Sequence, residues 1–291
     1  MSFFAPSGQQ ILRGPMRISL LLVSVALLIW SPPAFGGDEE DKHENYLATS
    51  GALDLGALVV EAGTVSAQDD VVVFKAKMIN QTGDWIFVKR QELAFQLGEK
   101  TIQPYSGKEK PEIVISPEKT KPLSLKLKGS GLHVDKMSVD FKGVYKAAAR
   151  GQTMEGPKFV LPPASNSATM GPFNCSVLSH DQATKVTKTV WECQYSGDGV
   201  GYVDASSLSV KIESGEQFAS TFRKNKRAVL RHNEKTKFTT TFEIEKRIVD
   251  MQFATLDLLW GETFSESTIE PVESATWDFE IDEELTAEKN D

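Results

Sequence analysis

Polar and apolar residues alternate along most of this chain. In Leu123–Lys128 every second residue is leucine, and Met137–Tyr145 alternates in the same way. Such a pattern puts one face of a strand against a core and the other in water, which is typical of antiparallel sheets. Turn-forming residues separate further predicted strands at Val71–Ile79, Trp85–Val88 and Leu93–Leu97. The pattern predicts an all-β fold, with short strands stacked as a sandwich.

The second half of the chain repeats this order of elements. The matching extends to an identical tetrapeptide, Glu-Lys-Thr-Lys, in one pair of segments. A repeated order of elements indicates repeated structural units. We therefore predict two tandem sandwich domains, each ending in a closing strand, Lys158–Leu161 in the first and Thr276–Ile281 in the second. The matched pairs are Val71–Ile79 with Val186–Tyr195, Leu93–Leu97 with Leu208–Ile212, Ser116–Leu125 with Asn233–Phe242, and Met137–Tyr145 with Met251–Trp260.

Composition shifts set the predicted boundaries. The stretch 161–172 is rich in Pro, Ser and Gly, which disfavours a central strand and indicates a linker. Polar, charged stretches at both ends have little to bury and read as tails. The predicted organisation is a signal peptide at 1–36, a tail at 37–54, domain 1 at 55–162, a linker at 163–171, domain 2 at 172–282 and an acidic tail at 283–291.

The N-terminal segment predicts export. Arg17 precedes an apolar run, Ile18–Trp30, that is shorter than the roughly 20 residues of a membrane-spanning helix. Small residues follow, and they suit cleavage between Gly36 and Gly37. The mature protein is then periplasmic or secreted and has no membrane span. The alternative is an uncleaved segment that anchors the protein, and either Met1 or Met16 fits as the start.

The charge is concentrated at the ends. The formal net charge is −8, and acidic residues cluster in Gly37–Glu44 and from Glu262 onward. The body, residues 45–261, is left weakly positive. Nucleic-acid binding needs a concentrated basic face, so we expect no nucleic-acid partner.

The two cysteines, Cys175 and Cys193, both lie in predicted strands. In an oxidising compartment a pair of this kind tends to form a disulfide. Antiparallel pairing of their strands would bring the two sulfurs close together. A reactive or metal-binding thiol pair is the alternative, but the spacing is not CxxC and no histidine flanks either residue.

Each half contains a strand that ends in a polar turn, at Met78–Gly83 and Gln194–Gly199, followed by an alternating strand and a later Glu-Lys turn. This order resembles the telokin-like, immunoglobulin-like domains of bacterial secreted proteins of unknown function. The resemblance covers about 55–162 and 170–282. It implies tandem immunoglobulin-like sandwiches in an extracytoplasmic setting, and it transfers no catalytic residue.

No residue cluster indicates a catalytic or metal site. His43, His133, His180 and His232 are scattered and lack metal-ligand spacing. In the run Ser179-His180-Asp181, adjacent side chains point in different directions and cannot form a relay. The acids at 282–284 lack the spaced glycine loop of a calcium site. We expect no catalytic, cofactor-binding or metal residues and no cofactor.

Other features are ambiguous. Asn80 and Asn174 match glycosylation acceptors, which matters only in a eukaryotic source. Tryptophans in strands predict core packing, with an exposed ligand-stacking strip as the alternative. A lysine cluster predicts a solvated sheet edge that resists aggregation, with contact to an acidic polymer or to the protein's own tails as the alternative. The tryptophans are Trp85, Trp191, Trp260 and Trp277, and the lysines are Lys100, Lys108, Lys110, Lys119 and Lys121.

These observations favour an exported, non-catalytic binding or scaffolding protein of the cell envelope. Sheet edges and loop ends are the natural contact surfaces of such domains, so the expected partner is another envelope or extracellular protein. A periplasmic carrier of a small ligand or metal is the alternative. The sequence leaves the oligomeric state and the biological process open.

Overall fold

The computed structural model describes residues 43–104, 108 and 110–291, which belong to one compact unit. The predicted cleavage position, Gly36 and Gly37, lies outside these residues. Antiparallel strands dominate, so the all-β prediction is confirmed. Strands β1 to β11 form the first half: β1 (Asn45–Ala48), β2 (Leu53–Asp54), β3 (Leu58–Ala67), β4 (Val71–Asn80), β5 (Trp85–Lys89), β6 (Leu93–Leu97), β7 (Lys100–Ile102), β8 (Glu112–Ile115), β9 (Thr120–Lys128), β10 (Lys136–Phe141) and β11 (Val144–Ala147).

The second half contains strands β12 to β24, and β25 and one α-helix complete the chain. Short 3₁₀ turns, Arg90–Glu92 and Ala205–Ser207, follow β5 and β17. The bounds are β12 (Gln152–Thr153), β13 (Phe159–Leu161), β14 (Ser167–Met170), β15 (Phe173–Ala183), β16 (Val186–Tyr195), β17 (Val200–Val203), β18 (Ser209–Lys211), β19 (Gln217–Ala219), β20 (Ala228–Leu230), β21 (Lys235–Glu243), β22 (Leu256–Leu259), β23 (Phe264–Ser267), β24 (Glu270–Pro271), β25 (Ala275–Ile281) and α1 (Glu283–Asn290).

The first core lies inside one sheet of nine strands that folds over on itself. Its strand order is β7-β6-β10-β25-β1-β3-β4-β9, with β2 beside β3. Phe74 on β4 packs edge-on against Phe95 on β6 and Phe279 on β25, so the two ends of the sheet face each other. The alternating residues of β9 deliver Leu123, Leu125 and Leu127 to this core, as the sequence pattern predicts.

The second core lies between two four-stranded sheets. Their orders are β14-β15-β16-β21 and β13-β22-β18-β19. Trp191 on β16 packs against Phe159 on β13 and against Trp260. All three rings are buried, so they serve the core, as predicted for the tryptophans.

Strand pairing repeats between the halves with a constant shift of 115 residues. Val60 pairs with Met78 across β3 and β4, and Cys175 pairs with Cys193 across β15 and β16. The same shift relates the pairing of β4 with β9 to that of β16 with β21, and it relates the two 3₁₀ turns. Both long hairpins also carry an irregularity of register just after these pairs. The predicted repeat of elements is therefore present as a repeat of pairing.

The shared Glu-Lys-Thr-Lys string is not structurally equivalent. A left-handed turn residue precedes the strand in both halves, Glu118 in the first and Asn233 in the second. These two residues are 115 apart, whereas the identical tetrapeptides are 116 apart. A slip of one residue in a strand reverses the direction of every side chain and backbone group. The two Glu-Lys-Thr-Lys strings are therefore shifted by one residue relative to the structural alignment. The alternation of apolar residues in the strands identifies the equivalent positions better than this identity does.

The closing strands are exchanged relative to the prediction. β13, expected to close the first domain, pairs with β22, and its Phe159 and Leu161 lie in the second core. β25, expected to close the second domain, pairs with β1 and β10, and its Trp277 and Phe279 lie in the first core. Sequence alternation identifies a strand but not its partner, so the boundary near 163–171 does not separate the two cores.

Segments predicted as tails or linker also form structure. β1 lies inside the nine-stranded sheet, between β3 and β25. β14, within the predicted linker, is an edge strand with Ala168 and Met170 buried. Asp282 caps helix α1, which docks on β1 through a hydrogen bond from the Tyr46 amide to the Thr286 hydroxyl. Each segment is short, but a few buried side chains or hydrogen bonds fix it in place.

The two halves meet through the same surface of each. Phe87 on β5 and Tyr202 on β17 are equivalent by the 115-residue shift, and both are buried in the small cluster between the halves. The Arg231 guanidinium binds the Glu112 carboxylate through Nε at 3.0 Å and Nη2 at 3.3 Å, and Nη1 donates to the Gly199 carbonyl. This ion pair and these rings join the halves into one unit.

Candidate functional site

The outer edge of β9 carries a row of backbone hydrogen-bonding groups that receive no bond from residues 43–104, 108 or 110–291, and we call it the open row. The amide of Asn80 bonds to Lys119 and that of Gly129 to Asp70, which fixes the odd-numbered residues of β9 as the row bonded to β4. The N–H and C=O groups of Ser124, Lys126 and Lys128 therefore point away from the sheet. Within the described residues, no hydrogen bond reaches this outer row.

Pro122 fits the same row. A proline has no N–H to donate, so within a sheet it suits an edge position that points away from the neighbouring strand. Pro122 lies opposite Lys77 on β4, at an even-numbered position, and it removes no hydrogen bond from the β4–β9 ladder. The open run thus begins after Pro122 and extends to Lys128.

Lysines border the open row on its solvent face. Lys126 and Lys128 project from β9, opposite Val73 and Val71, and Lys75 projects from β4 opposite Ser124. None of these three lysines forms an ion pair with a residue that the structure describes. Lys77 is bound by Glu61 at 3.2 Å. The edge is therefore basic and its charge is mostly unpaired.

The equivalent edge of β21 is covered by the chain itself. Here the odd-numbered residues point outward, and two of them are fully bonded. The Asn225 side chain donates to the Thr239 carbonyl at 2.7 Å and accepts from its amide at 3.2 Å. The Thr241 amide donates to the Ser220 hydroxyl, and its carbonyl accepts from the Thr221 amide at 2.7 Å.

The first half lacks the residue that bonds Thr239 in the second half. Counting from the equivalent strands β8 and β20, the position of Asn225 is occupied by Lys110. A lysine side chain has three donors and no acceptor, so it cannot bond both backbone groups of one residue as the asparagine amide does. The replacement of asparagine by lysine at this position is therefore the sequence difference that accompanies the unbonded groups of Ser124.

A polar pocket of about 330 Å³ lies beside the junction, in the second half. Arg227 stacks over the Tyr202 ring, 4.5 Å from its centroid. Burial raises the pKa of Tyr202 to about 12, and its hydroxyl donates to the Ala148 carbonyl at 2.7 Å. Two guanidinium groups, two carboxylates and several hydroxyls give the lining little net charge. The lining residues are Arg150, Gly151, Thr153, Tyr202, Asp204, Ser207, Arg227, Glu262, Thr263 and Ser265.

An exposed apolar tip lies at the far end of the second half. In the loop after β21, Phe253 is 81 % exposed and Ile248 is 42 % exposed. The loop is anchored to the second half by Met251, which is buried and whose amide donates to the Thr184 carbonyl. The sequence analysis did not single out this loop, since its apolar residues read as part of a strand.

The predicted disulfide is confirmed. Cys175 and Cys193 are directly paired across β15 and β16 and are bonded through their sulfurs. Both residues are buried in the second core. The bond thus takes the place that Val60 and Met78 fill in the first half, and it does not form a reactive site.

The structure brings together two of the four histidines. His43 Nδ1 lies 3.2 Å from His133 Nε2, where the start of the described chain meets the loop before β10. His180 bonds to the Thr189 hydroxyl, and His232 to the Gly197 carbonyl. In the described part of the chain, no three His, Cys, Asp or Glu side chains are arranged to hold a metal ion.

The remaining candidates have structural surroundings. Asp282 of the acidic run caps helix α1 by accepting from the Leu285 amide. Asn80 is buried, and its amide donates to the carbonyls of Asp84 and Ser116, which leaves it inaccessible for glycosylation. Asn174 is exposed and bonds to Thr169. Among the described residues, no helix is long and apolar enough to cross a bilayer.

No protein-family model matches the chain, and no curated protein matches it. Among solved structures it is similar to a variant of the glycoside hydrolase BuGH86 in complex with neoagarooctaose, at 11% identity and a TM-score of 0.17, over 80% of this chain and 35% of that chain. It is also similar to the C-terminal globular domain of an oligosaccharyltransferase from Pyrococcus abyssi, at 10% identity and a TM-score of 0.14, over 82% and 48%. The chain thus spans about a third and about half of these two chains. Likenesses this weak carry no argument about fold or activity.

Proposed function

We propose that this chain is an exported, non-catalytic binding protein that receives a strand of a partner protein along the outer edge of β9. The open row at Ser124–Lys128 is the observation that carries this proposal. A partner strand would pair with that row by main-chain hydrogen bonds, the mode called strand addition. The immunoglobulin-like resemblance and the apolar N-terminal segment support an extracytoplasmic setting, as does the disulfide.

The energetics suit a reversible contact. An added strand would pair with three outward residues, Ser124, Lys126 and Lys128. Each net main-chain hydrogen bond contributes roughly 0.5–1.5 kcal/mol, so three to five bonds give a moderate affinity before side chains contribute. The first core is already closed beneath the edge, because Leu125 and Leu127 are buried. A partner strand can therefore be added without moving these leucines out of the core.

Hydrogen exchange in the free protein tests whether the edge is open. The amides of Ser124, Lys126 and Lys128 should exchange within seconds to minutes, whereas those of Leu125 and Leu127, bonded to β4, should be protected. Thr239 and Thr241 are the matched controls on the covered edge and should also be protected. Slow exchange at Ser124, Lys126 and Lys128 in the free monomer would overturn the proposal.

A proline substitution tests the use of the edge. Ser124→Pro removes one outward N–H and, like Pro122, leaves the β4 ladder intact. Loss of one hydrogen bond should weaken partner binding about two- to tenfold, with the change in free energy of unfolding kept small. A photo-crosslinking side chain at position 126, with one at the equivalent covered position 241 as control, identifies the partner strand. Equal crosslinking at both positions contradicts the proposal.

Export is tested separately by the N-terminus of the protein in its own cell. Cleavage after Gly36 predicts a mature chain that begins at Gly37. Edman or mass-spectrometric sequencing of the protein from the envelope fraction measures this directly. A chain that retains residues 18–30 would instead support the anchored alternative.

The polar pocket supports a second candidate function, a carrier of small polar molecules. Ligand sites favour junctions between structural units and use a few convergent polar groups. Charges of both signs and free hydroxyls suit a neutral or zwitterionic molecule, such as a sugar or an amino acid. Titration calorimetry with these classes tests it, using Ser265→Ala and Arg227→Gln against Ser209→Ala as the control outside the pocket. Absence of heat with every class contradicts the carrier function.

A further inference from the structure

The lysines beside the open row indicate which charge an added strand should carry. This inference rests on the strand-addition function proposed above. An added strand would place alternate residues beside Lys126 and Lys128 on the solvent face. Directly opposite side chains in an antiparallel pair have Cβ atoms about 4.5–5.5 Å apart. At that distance opposite charges attract and like charges repel.

We infer that the partner segment is an extended strand with acidic residues at alternate positions, and that Lys126 and Lys128 both select this strand and prevent a second copy of this chain from pairing through β9. The Glu61 carboxylate, two strands further in, is engaged by Lys77 at 3.2 Å, and none of Lys75, Lys126 and Lys128 is paired with a carboxylate of the described residues. Lys75, one strand further in, adds to the positive charge. The opposite face offers less selectivity, since Leu125 and Leu127 are buried and closed over.

Pairing of two copies of this chain through β9 is disfavoured by the charge of its lysines. If two β9 strands met along their outer rows, the side chains on the solvent face of both would come from Ser124, Lys126 and Lys128. Every antiparallel register that pairs the full row sets at least one lysine opposite another lysine or a serine, with no acid to compensate. Inward or edge lysines are a known device against such association. A heterologous, acidic partner is thus favoured over a second copy.

Synthetic peptides test the charge preference. We would use three blocked heptapeptides in which valine alternates with glutamate, with glutamine or with lysine, at millimolar concentration and low salt. Amide chemical shifts of the whole mature protein report the site, and changes should centre on residues 124–128. The glutamate peptide should bind roughly two- to thirtyfold more tightly than the glutamine peptide, and the difference should shrink at 0.3 M salt. The lysine peptide should bind least.

Charge reversal sharpens the test. In Lys126→Glu/Lys128→Glu the ranking of the glutamate and lysine peptides should invert. A control reversal away from β9, Lys235→Glu/Lys237→Glu on β21, should keep the original ranking. Equal binding of all three peptides at residues 124–128 overturns the acidic preference and leaves strand addition standing. If no peptide shifts these amides, strand addition itself fails.

Self-association is measured by sedimentation. The variant Lys126→Thr/Lys128→Thr removes both charges from exposed positions and should dimerise more readily than the wild-type protein at equal concentration. Thermal unfolding checks that the variant is folded. A folded variant that sediments no differently from the wild type overturns the role of the lysines in preventing self-pairing.

Discussion

The strands β9 and β21 occupy equivalent places, yet the described residues bond the outward groups of β21 and leave those of β9 without a bond. Each is the edge strand beside the second strand of a long hairpin, and their registers differ by the constant 115 residues. Both send alternate apolar residues into a core. On β21 the outward groups of Thr239 and Thr241 are bonded by the preceding segment. On β9 the equivalent groups of Ser124 and Lys126 receive no bond from the described residues.

The comparison shows that the fold alone does not decide whether an edge is available. The pairing is the same at both edges, and at Thr239 a single polar side chain, Asn225, supplies both bonds to the outward groups. Asn225 covers a residue because its amide both donates and accepts, whereas the lysine at the equivalent position can only donate. Each of the following substitutions gives one half the residue of the other half, and each therefore tests one part of this comparison.

The largest effect is expected from the disulfide. Cys175→Val/Cys193→Met gives the second half the apolar pair that Val60 and Met78 form in the first. Loss of the cross-link should lower the free energy of unfolding by about 3 kcal/mol, because the unfolded chain regains the entropy of an 18-residue separation. Urea unfolding measures it, with reduced wild-type protein as the control. An unchanged midpoint would mean that packing alone holds this hairpin.

The next effect is expected at the cover of β21. Asn225→Lys introduces the first-half residue and removes both hydrogen bonds to Thr239. The free energy of unfolding should fall by about 1–3 kcal/mol, and the Thr239 amide should exchange as fast as that of Ser124. Thr241, bonded by Ser220 and Thr221, is the internal control and should stay protected. Continued protection of Thr239 would show that the asparagine is not the cover.

Much of the fold follows from the sequence, because alternation is local information. The strands β4, β6, β9 and β16 lie where period-two patterns predict them, and burial of Leu123, Leu125 and Leu127 follows from the same pattern. The disulfide was also predictable, since two cysteines in strands of a chain that is predicted to be exported have few other uses. The exchange of β13 and β25 was not predictable, because alternation is the same whichever sheet a strand joins.

The candidate site was only partly predictable for a related reason. The lysine cluster singled out in the sequence reaches the start of β9 at Lys121 but does not include Lys126 or Lys128. Which groups point outward depends on register, and a slip of one residue reverses the answer. Packing shows the same limit. Gly201 takes the place of Ile86 because Tyr195 fills that space, and a Cβ on Gly201 would lie 2.6 Å from the Tyr195 ring. The sequence pattern does not show that a small residue at one position is compensated by a large side chain from another strand.

A smaller effect is expected at the junction, where Phe87 and Tyr202 are equivalent. Tyr202→Phe removes the hydrogen bond to the Ala148 carbonyl and should cost about 1 kcal/mol at pH 8. Burial raises the folded-state pKa of Tyr202 from 10.0 to about 12, so between pH 10 and 12 the folded protein keeps the neutral form that the unfolded chain has lost. The contribution is intact below pH 10 and is lost as the pH rises from 10 to 12, because the unfolded chain ionises first.

The cost of Tyr202→Phe should therefore shrink between pH 10 and 12, since phenylalanine cannot ionise in either state. Chemical unfolding of both proteins across this range measures the difference, and absorbance near 295 nm reports tyrosinate formation. A difference that is constant from pH 8 to 12 would contradict the assigned burial effect.

The smallest effect is expected from Lys126→Thr, which gives β9 the residue that β21 carries at Thr241. Lys126 is exposed and has no ion pair among the described residues, so the free energy of unfolding should change by no more than about 0.5 kcal/mol. Amide exchange at position 126 should stay fast, because the cover on β21 comes from the neighbouring segment and not from the strand's own side chains. Hydrogen exchange measured by NMR decides this. Protection of the amide at position 126 in the monomeric variant would contradict this prediction. It would mean that the side chains of β9 and β21, and not the neighbouring segment, determine whether the outward amides are protected.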